Sequence, residues 1–107
     1  MNHGNLGVAL DAIAETWSPR VLAAIGDCEI KVARIEGAFE WHAHRSTDEF
    51  FLVLEGKLQL ELRDRAVELG PGDYFVVTAG VEHRPVAEPG TRFMMVERSG
   101  TAPAGDV

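Results

Sequence analysis

The sequence predicts a small all-β domain with one short helix near its N-terminus, and three observations lead to that fold class. The chain has 107 residues, which is the length of one compact domain. Hydrophobic residues make up 46% of it and charged residues 25%, as is typical of globular proteins with a buried core. From Val21 onward, short apolar segments alternate with glycine, proline and aspartate, a pattern typical of strands joined by tight turns. About nine short strands in one small domain indicate a sandwich or a barrel.

The first predicted element is a short helix within residues 5–17. Leu6, Leu10 and Trp17 recur with a weak helical period and are separated by polar residues. Pro19 follows closely, and a proline disfavours helical backbone in the residue before it. We therefore expect the helix to end before position 18.

The strands are expected to fill residues 20–98. The clearest one is Leu58–Leu62, in which leucines alternate with Gln59 and Glu61, because a period of two gives a strand one buried and one wet face. After residue 98 the chain is rich in glycine, alanine and proline, so we expect a loose tail at 99–107. The other strands are predicted at Val21–Ile25, Glu29–Ile35, Phe39–His44, Glu49–Leu54, Ala66–Leu69, Tyr74–Val77, Glu82–Ala87 and Thr91–Glu97.

The strand that begins at Glu49 is apolar on both faces. Phe50 and Leu52 point to one side, whereas Phe51 and Val53 point to the other. The N-terminal helix can cover only a small part of the outer face. Because exposed apolar patches usually mark interfaces, we expect a second copy of the chain to cover the remainder as a homodimer.

Composition also limits the partners and the location of the protein. Ten lysines and arginines against seventeen acidic residues give a formal net charge of −7, which repels phosphate backbones and anionic lipid surfaces. The apolar segments are far shorter than the roughly 18 residues that a membrane span needs. Cys28 is the single cysteine and the first residues include no basic segment of a signal peptide. We expect no nucleic-acid partner, no membrane association and a cytoplasmic protein.

Three of the four histidines occur with one carboxylate in a pattern that can bind a metal. His42 and His44 are two residues apart, so their imidazoles project from the same face of a strand. Glu49 opens the next predicted strand, and His83 follows a later turn. Three imidazoles and a carboxylate suit a divalent transition metal (Zn, Fe, Mn, Ni, Co or Cu), with positions left for water or substrate.

The glycines around these ligands complete two longer motifs. The first is G-(X)4-H-X-H-(X)4-E-(X)6-G from Gly37 to Gly56, and the second is G-(X)7-G-(X)2-H from Gly72 to His83. They resemble the two motifs of the cupin family, G-(X)5-H-X-H-(X)3,4-E-(X)6-G and G-(X)5-P-X-G-(X)2-H-(X)3-N. In this chain the first gap is one residue shorter, Thr78 replaces the proline and Ala87 replaces the asparagine.

The resemblance implies a small antiparallel jelly-roll barrel with the metal held inside by His42, His44, Glu49 and His83. It also implies pairing of two copies through their sheets. The chain is similar to small single-domain cupins that are often labelled mannose-6-phosphate isomerase-like, although such a label describes fold better than reaction. Two functions remain open: an enzyme acting on a small organic molecule, either an oxygenase or an isomerase, and a non-catalytic metal-dependent binding or sensing module.

The sequence argues against sugar-phosphate isomerisation. A buried phosphate needs cationic partners, and the two lysines, Lys31 and Lys57, do not cluster with the motif residues. Arg34 is the one candidate to point inward. The inward positions are apolar: Phe51 and Val53, with either Phe93 and Met95 or Met94 and Val96. We expect a neutral or singly charged, partly apolar ligand beside the metal.

Overall fold

The computed structural model describes residues 1–105 and contains one helix and seven strands within them. All paired strands run antiparallel, so the predicted all-β fold class is confirmed. The elements in chain order are α1 (Leu6–Asp11), β1 (Arg20–Ile25), β2 (Cys28–Ala38), β3 (Glu49–Glu55), β4 (Leu58–Leu62), β5 (Ala66–Leu69), β6 (Tyr74–Val77) and β7 (His83–Arg98).

Helix α1 begins where it was predicted to begin, but it ends earlier than the predicted segment does. The Asn5 side chain accepts a hydrogen bond from the Val8 N–H at 3.0 Å and so caps the helix start. Beyond Asp11 the backbone leaves the helix, and Trp17 has a φ of 58°, which helical residues do not adopt. The Trp17 N–H instead donates to the Arg34 carbonyl at 2.9 Å, which joins the connection to β2.

The sheet has the order β1-β2-β7-β3-β6, and β4 pairs with both β5 and β7. Strand β7 joins the two parts of the jelly roll because its first half pairs with β4 and its second half with β3. The predicted strands Glu82–Ala87 and Thr91–Glu97 are therefore one continuous strand. Both halves pair with β2, and the register between β2 and β7 shifts between Ile35 and Gly37.

The predicted strand Phe39–His44 is wrong. Strand β2 ends at Ala38, and the next pairing is an isolated bridge in which His42 and His83 exchange backbone hydrogen bonds of 3.1 and 2.9 Å. Phe39 still donates its N–H to the Pro85 carbonyl at 2.9 Å. Because proline has no N–H to donate, the ladder is interrupted at this point.

Two apolar clusters hold the fold together. The inner cluster lies between the two parts of the jelly roll and includes Phe51, Val53, Phe93 and Met95. Of the two predicted alternatives for the inward positions, Phe93 with Met95 is therefore confirmed. The second cluster lies beneath α1, where Leu10 and Ile13 cover Val32, with Leu54 and Met94 packed beside them. Burying one such side chain contributes about 1.5–3 kcal/mol. The helix therefore covers one end of the outer sheet face.

No helix among the described residues is long and apolar enough to cross a membrane.

Candidate metal centre

The four predicted ligands lie together inside the barrel. Glu49 and His83 are the first residues of β3 and β7, and the backbone bridge to His83 brings His42 beside it. His44 follows two residues later. One ligand atom from each residue lies within 4.8 Å of all the others, and all four side chains are buried. A metal ion could therefore contact every one of them.

The ligand atoms point at one another in a way that a cation would satisfy. Glu49 Oε1 lies 3.2 Å from His44 Nε2 and 3.0 Å from His83 Nε2. Glu49 Oε1 and His83 Nε2 have no hydrogen-bond partner among the described residues. Leaving a buried polar atom unsatisfied costs about 1–3 kcal/mol. The donor set thus fits a divalent transition metal.

Backbone carbonyls fix the orientation of two imidazoles. Nδ1 of His42 lies 2.9 Å from the Glu40 carbonyl, and Nδ1 of His83 lies 2.9 Å from the Val81 carbonyl. A carbonyl oxygen can only accept, so each Nδ1 carries the proton and each Nε2 keeps a free lone pair. Such outer hydrogen bonds are the usual means of orienting a metal-binding histidine.

The surroundings also favour the protonation states that bind metal. Burial lowers the pKa of His42, and this outweighs its hydrogen bond to the Glu40 carbonyl. Burial opposes ionisation of Glu49, but the neighbouring side chains of His44, His83 and Glu97 outweigh it, so that the pKa of Glu49 is lowered. A neutral imidazole and an ionised carboxylate are the forms that ligate a metal.

Turns between the strands hold the ligand-bearing segments in register. The Gly80 N–H donates to the His44 carbonyl at 2.7 Å, and the Ala79 N–H donates to Asp48 Oδ1 at 2.9 Å. Gly80 has a φ of 84°, a conformation that glycine adopts without steric cost. Gly80, the second glycine of the second motif, therefore supports the turn that joins the His44 segment to His83.

An apolar cavity of about 50 Å³ adjoins the four ligands, and His42 and Glu49 form part of its wall. The rings of Trp17 and Phe39, which also line it, stack with their centroids 4.8 Å apart, and Phe39 meets the His42 ring edge-on at 5.4 Å. The other residues that line it are Pro19, Ala33, Ile35, Phe51, Pro85, Phe93, Met95, Glu97 and Pro103. The tail thus contributes Pro103 to this wall, and the part of the predicted tail at residues 106–107 lies outside the described residues.

Sequence reasoning missed three residues around the site. Trp17 was expected only as part of a helix, and its contact with the cavity depends on the turn that follows α1. Lys31 and Glu97 face inward, and their side chains form an ion pair of 2.9 Å. Alternation with the inward-facing Met95 could have indicated Glu97.

The expectation that Arg34 might point inward is wrong. Its Nη1 donates to the Ile13 carbonyl at 2.8 Å, on the face that carries α1. Burial raises the pKa of Glu97, the neighbouring Glu49 side chain raises it further, and the Lys31 ammonium opposes this increase. The cavity wall formed by residues 1–105 therefore contains the carboxyl groups of Glu49 and Glu97 and no guanidinium, and Lys31 contacts Glu97 beside it.

The cupin domain family (Cupin_2) matches residues 29–97, the part of the jelly roll that contains the three histidines and the glutamate able to hold a metal. The chain belongs to the cupin family.

Among its relatives is a cupin-2 domain containing protein from Shewanella frigidimarina NCIMB 400, whose crystal structure superposes with a TM-score of 0.86 at 39% identity over 88% of this chain and 92% of that chain. The uncharacterized protein YdbB of Bacillus subtilis (strain 168) is 28% identical over 81 residues, which cover 75% of this chain and 72% of that protein. Quercetin 2,3-dioxygenase of the same organism is 46% identical over 46 residues, 43% of this chain but only 14% of that enzyme.

Proposed function

We propose that the chain binds one divalent transition metal through His42, His44, Glu49 and His83 and uses it to act on a small organic molecule in the adjoining cavity. The supporting observation is the group of four buried ligand atoms within 4.8 Å of one another, two of whose residues also form the cavity wall. Zn, Fe, Mn, Ni, Co and Cu all suit this ligand set.

The cavity supports a substrate that is partly apolar and neutral or singly charged. Its volume of about 50 Å³ exceeds the roughly 10–15 Å³ that a cavity needs to hold one water, so it can admit a small part of a larger molecule. Trp17 and Phe39 offer an aromatic surface for the remainder. The cavity wall within residues 1–105 carries no lysine or arginine, which argues against a sugar phosphate.

Among reactions, we favour oxygenation over isomerisation. A bound metal would supply redox or Lewis-acid chemistry. His42 and Glu49 would hold the metal at the cavity wall, and the apolar residues of that wall exclude water. The similarity to a segment of quercetin 2,3-dioxygenase supports an oxygenase. One observation favours the non-catalytic alternative: besides the ligands, Glu97 is the only acidic or basic side chain at the described cavity wall, and it is paired with Lys31.

Oxygen uptake would distinguish these functions. Metal-free, untagged protein is loaded separately with Fe(II), Mn(II), Co(II), Ni(II), Cu(II) and Zn(II), and oxygen consumption is followed with quercetin and with the smaller catechol. We expect turnover of order 1 per second with at least one redox-active metal, and its loss in His83→Ala. Binding without turnover in every metal form would instead support the binding module, and mass spectrometry of co-purified small molecules would identify its ligand.

We also propose that the protein is a homodimer, because an apolar surface crosses the outer face of four strands. In one row, Ile30, Val96, Phe50 and Val76 are successive cross-strand partners. Tyr74 ends the next row and stacks on Phe50 at 5.9 Å. This surface carries no charged side chain in those positions, so a second copy can pack against it despite the net charge of −7.

Light scattering at micromolar concentration is expected to give about twice the chain mass of 11.7 kDa. Val76→Glu should produce monomers, because it places a charge on a side chain that is 45% exposed within this surface. Val81→Glu is the matched control, since Val81 is 38% exposed and lies outside the surface. A monomeric wild type would contradict the proposal.

The expected location and partners follow from composition. We propose that the protein works in the cytoplasm, where a free cysteine such as Cys28 stays reduced. Its acidic charge makes a small molecule a better partner than nucleic acid.

A further inference from the structure

We propose that Glu97, held by Lys31, is a positioning residue of the metal centre that orients the Glu49 carboxylate toward the imidazoles. The inference rests on the proposed function, since it requires a metal bound to Glu49.

Glu97 and Glu49 are neighbours on the inner face of the sheet. Phe50 of β3 is opposite Val96 of β7, and the antiparallel register extended by one residue puts Glu49 opposite Glu97. Both carboxyl groups line the same cavity. The β7 carboxyl group is therefore next to a metal ligand without being one of the four convergent ligands.

Lys31 and Glu97 form a buried ion pair that stability alone does not explain. Their residues are 8% and 2% exposed, and Lys31 Nζ lies 2.9 Å from Glu97 Oε1. A buried ion pair typically contributes no more stability than a well-packed apolar pair of similar volume. The next inward residues on these two strands, Ala33 beside Lys31 and Met95 beside Glu97, are apolar. An apolar pair at positions 31 and 97 would therefore continue the core.

The contacts of the pair indicate what it does. Lys31 donates to one oxygen of Glu97 at 2.9 Å, and the Glu97 side chain also interacts directly with the Glu49 side chain. Because the two side chains interact, a Glu97 held by Lys31 limits the orientations open to Glu49. Glu49 Oε1 consequently faces His44 and His83. Outer groups that orient ligands in this way typically change metal affinity by about 10- to 100-fold.

Cobalt binding tests the role directly, with Co(II) itself as the probe. The affinity of metal-free protein for Co(II) is measured by competition with a chelator, and the visible spectrum of the bound ion reports the ligand geometry. We expect Glu97→Gln to weaken binding by about 10-fold or more and to alter the spectrum. The double variant Lys31→Met with Glu97→Leu should show the same defect, and it avoids leaving one charge unpaired in the core.

Glu29→Gln is the matched control, because Glu29 also approaches Lys31, at 3.9 Å, but does not line the cavity. It should keep the wild-type spectrum and an affinity within about twofold. Wild-type affinity and spectrum in folded Glu97→Gln or in the folded double variant would overturn the positioning role while leaving the proposed metal site intact. A wild type that binds no Co(II) or other divalent transition metal would overturn the proposed function and this inference together.

Discussion

Replacing both His42 and His44 with alanine is expected to reduce the metal content from about one ion per chain to below about 0.1. The change removes two of four ligands and leaves Glu49 and His83, which are too few to hold a transition metal tightly. Elemental analysis of untagged protein after removal of loosely bound ions measures the effect. A melting experiment gives a second measurement, since ligand at 100 times its Kd raises the free energy of unfolding by about 2.7 kcal/mol.

The double variant should lose this metal-dependent stabilisation and keep its fold. The matched control is His3→Ala, since His3 is exposed and lies outside the ligand group. It should retain the full metal content. Unchanged metal content in a folded His42→Ala, His44→Ala protein would show that the ion binds elsewhere, and the assignment of all four ligands would then be wrong.

Local alternation was sufficient to predict several strands. Leu58–Leu62, Ala66–Leu69 and Tyr74–Val77 have the predicted bounds, because each is short and is followed by a polar or glycine-containing turn. The union of 82–87 with 91–97 could not be predicted in the same way. Pro89-Gly90 indicates a turn locally, whereas the continuous strand depends on pairing with the distant strand β2, as in the pairs Gly37 with Ala87 and Ile35 with Thr91.

The candidate site shows the same difference between spacing and register. The four ligands could be selected from the spacing of two motifs, and the structure brings their ligand atoms together. The ligand atoms come together even though the strand expected at Phe39–His44 is absent, because the backbone bridge to His83 fixes the position of His42 directly. Lys31 escaped notice because its burial depends on the register between β2 and β7, which no local pattern encodes. Glu97 differs, since alternation with Met95 could have indicated it.

The last glycine of the first motif, Gly56, should be highly sensitive to substitution. It joins β3 to β4 with a φ of 82°, and a Cβ there would lie 2.5 Å from Thr91 Oγ1 and 2.6 Å from Thr91 Cα. Thr91 cannot easily move, since its hydroxyl donates to the Glu88 carbonyl at 2.7 Å and accepts from the Lys57 N–H at 3.1 Å. Gly56→Ala therefore combines a left-handed backbone cost of about 1–2 kcal/mol with an overpacking cost of about 1–3 kcal/mol.

Urea denaturation should therefore show that Gly56→Ala lowers the free energy of unfolding by about 2–5 kcal/mol, a large fraction of the 5–15 kcal/mol typical of a domain. Gly72→Ala separates the two costs, because Gly72 has a φ of 88° but no atom within 4 Å of the added Cβ. It should lose only about 1–2 kcal/mol. Equal losses in the two variants would show that the turn before β4 shifts to admit a methyl group, and the close approach to Thr91 would then not explain why glycine occupies position 56.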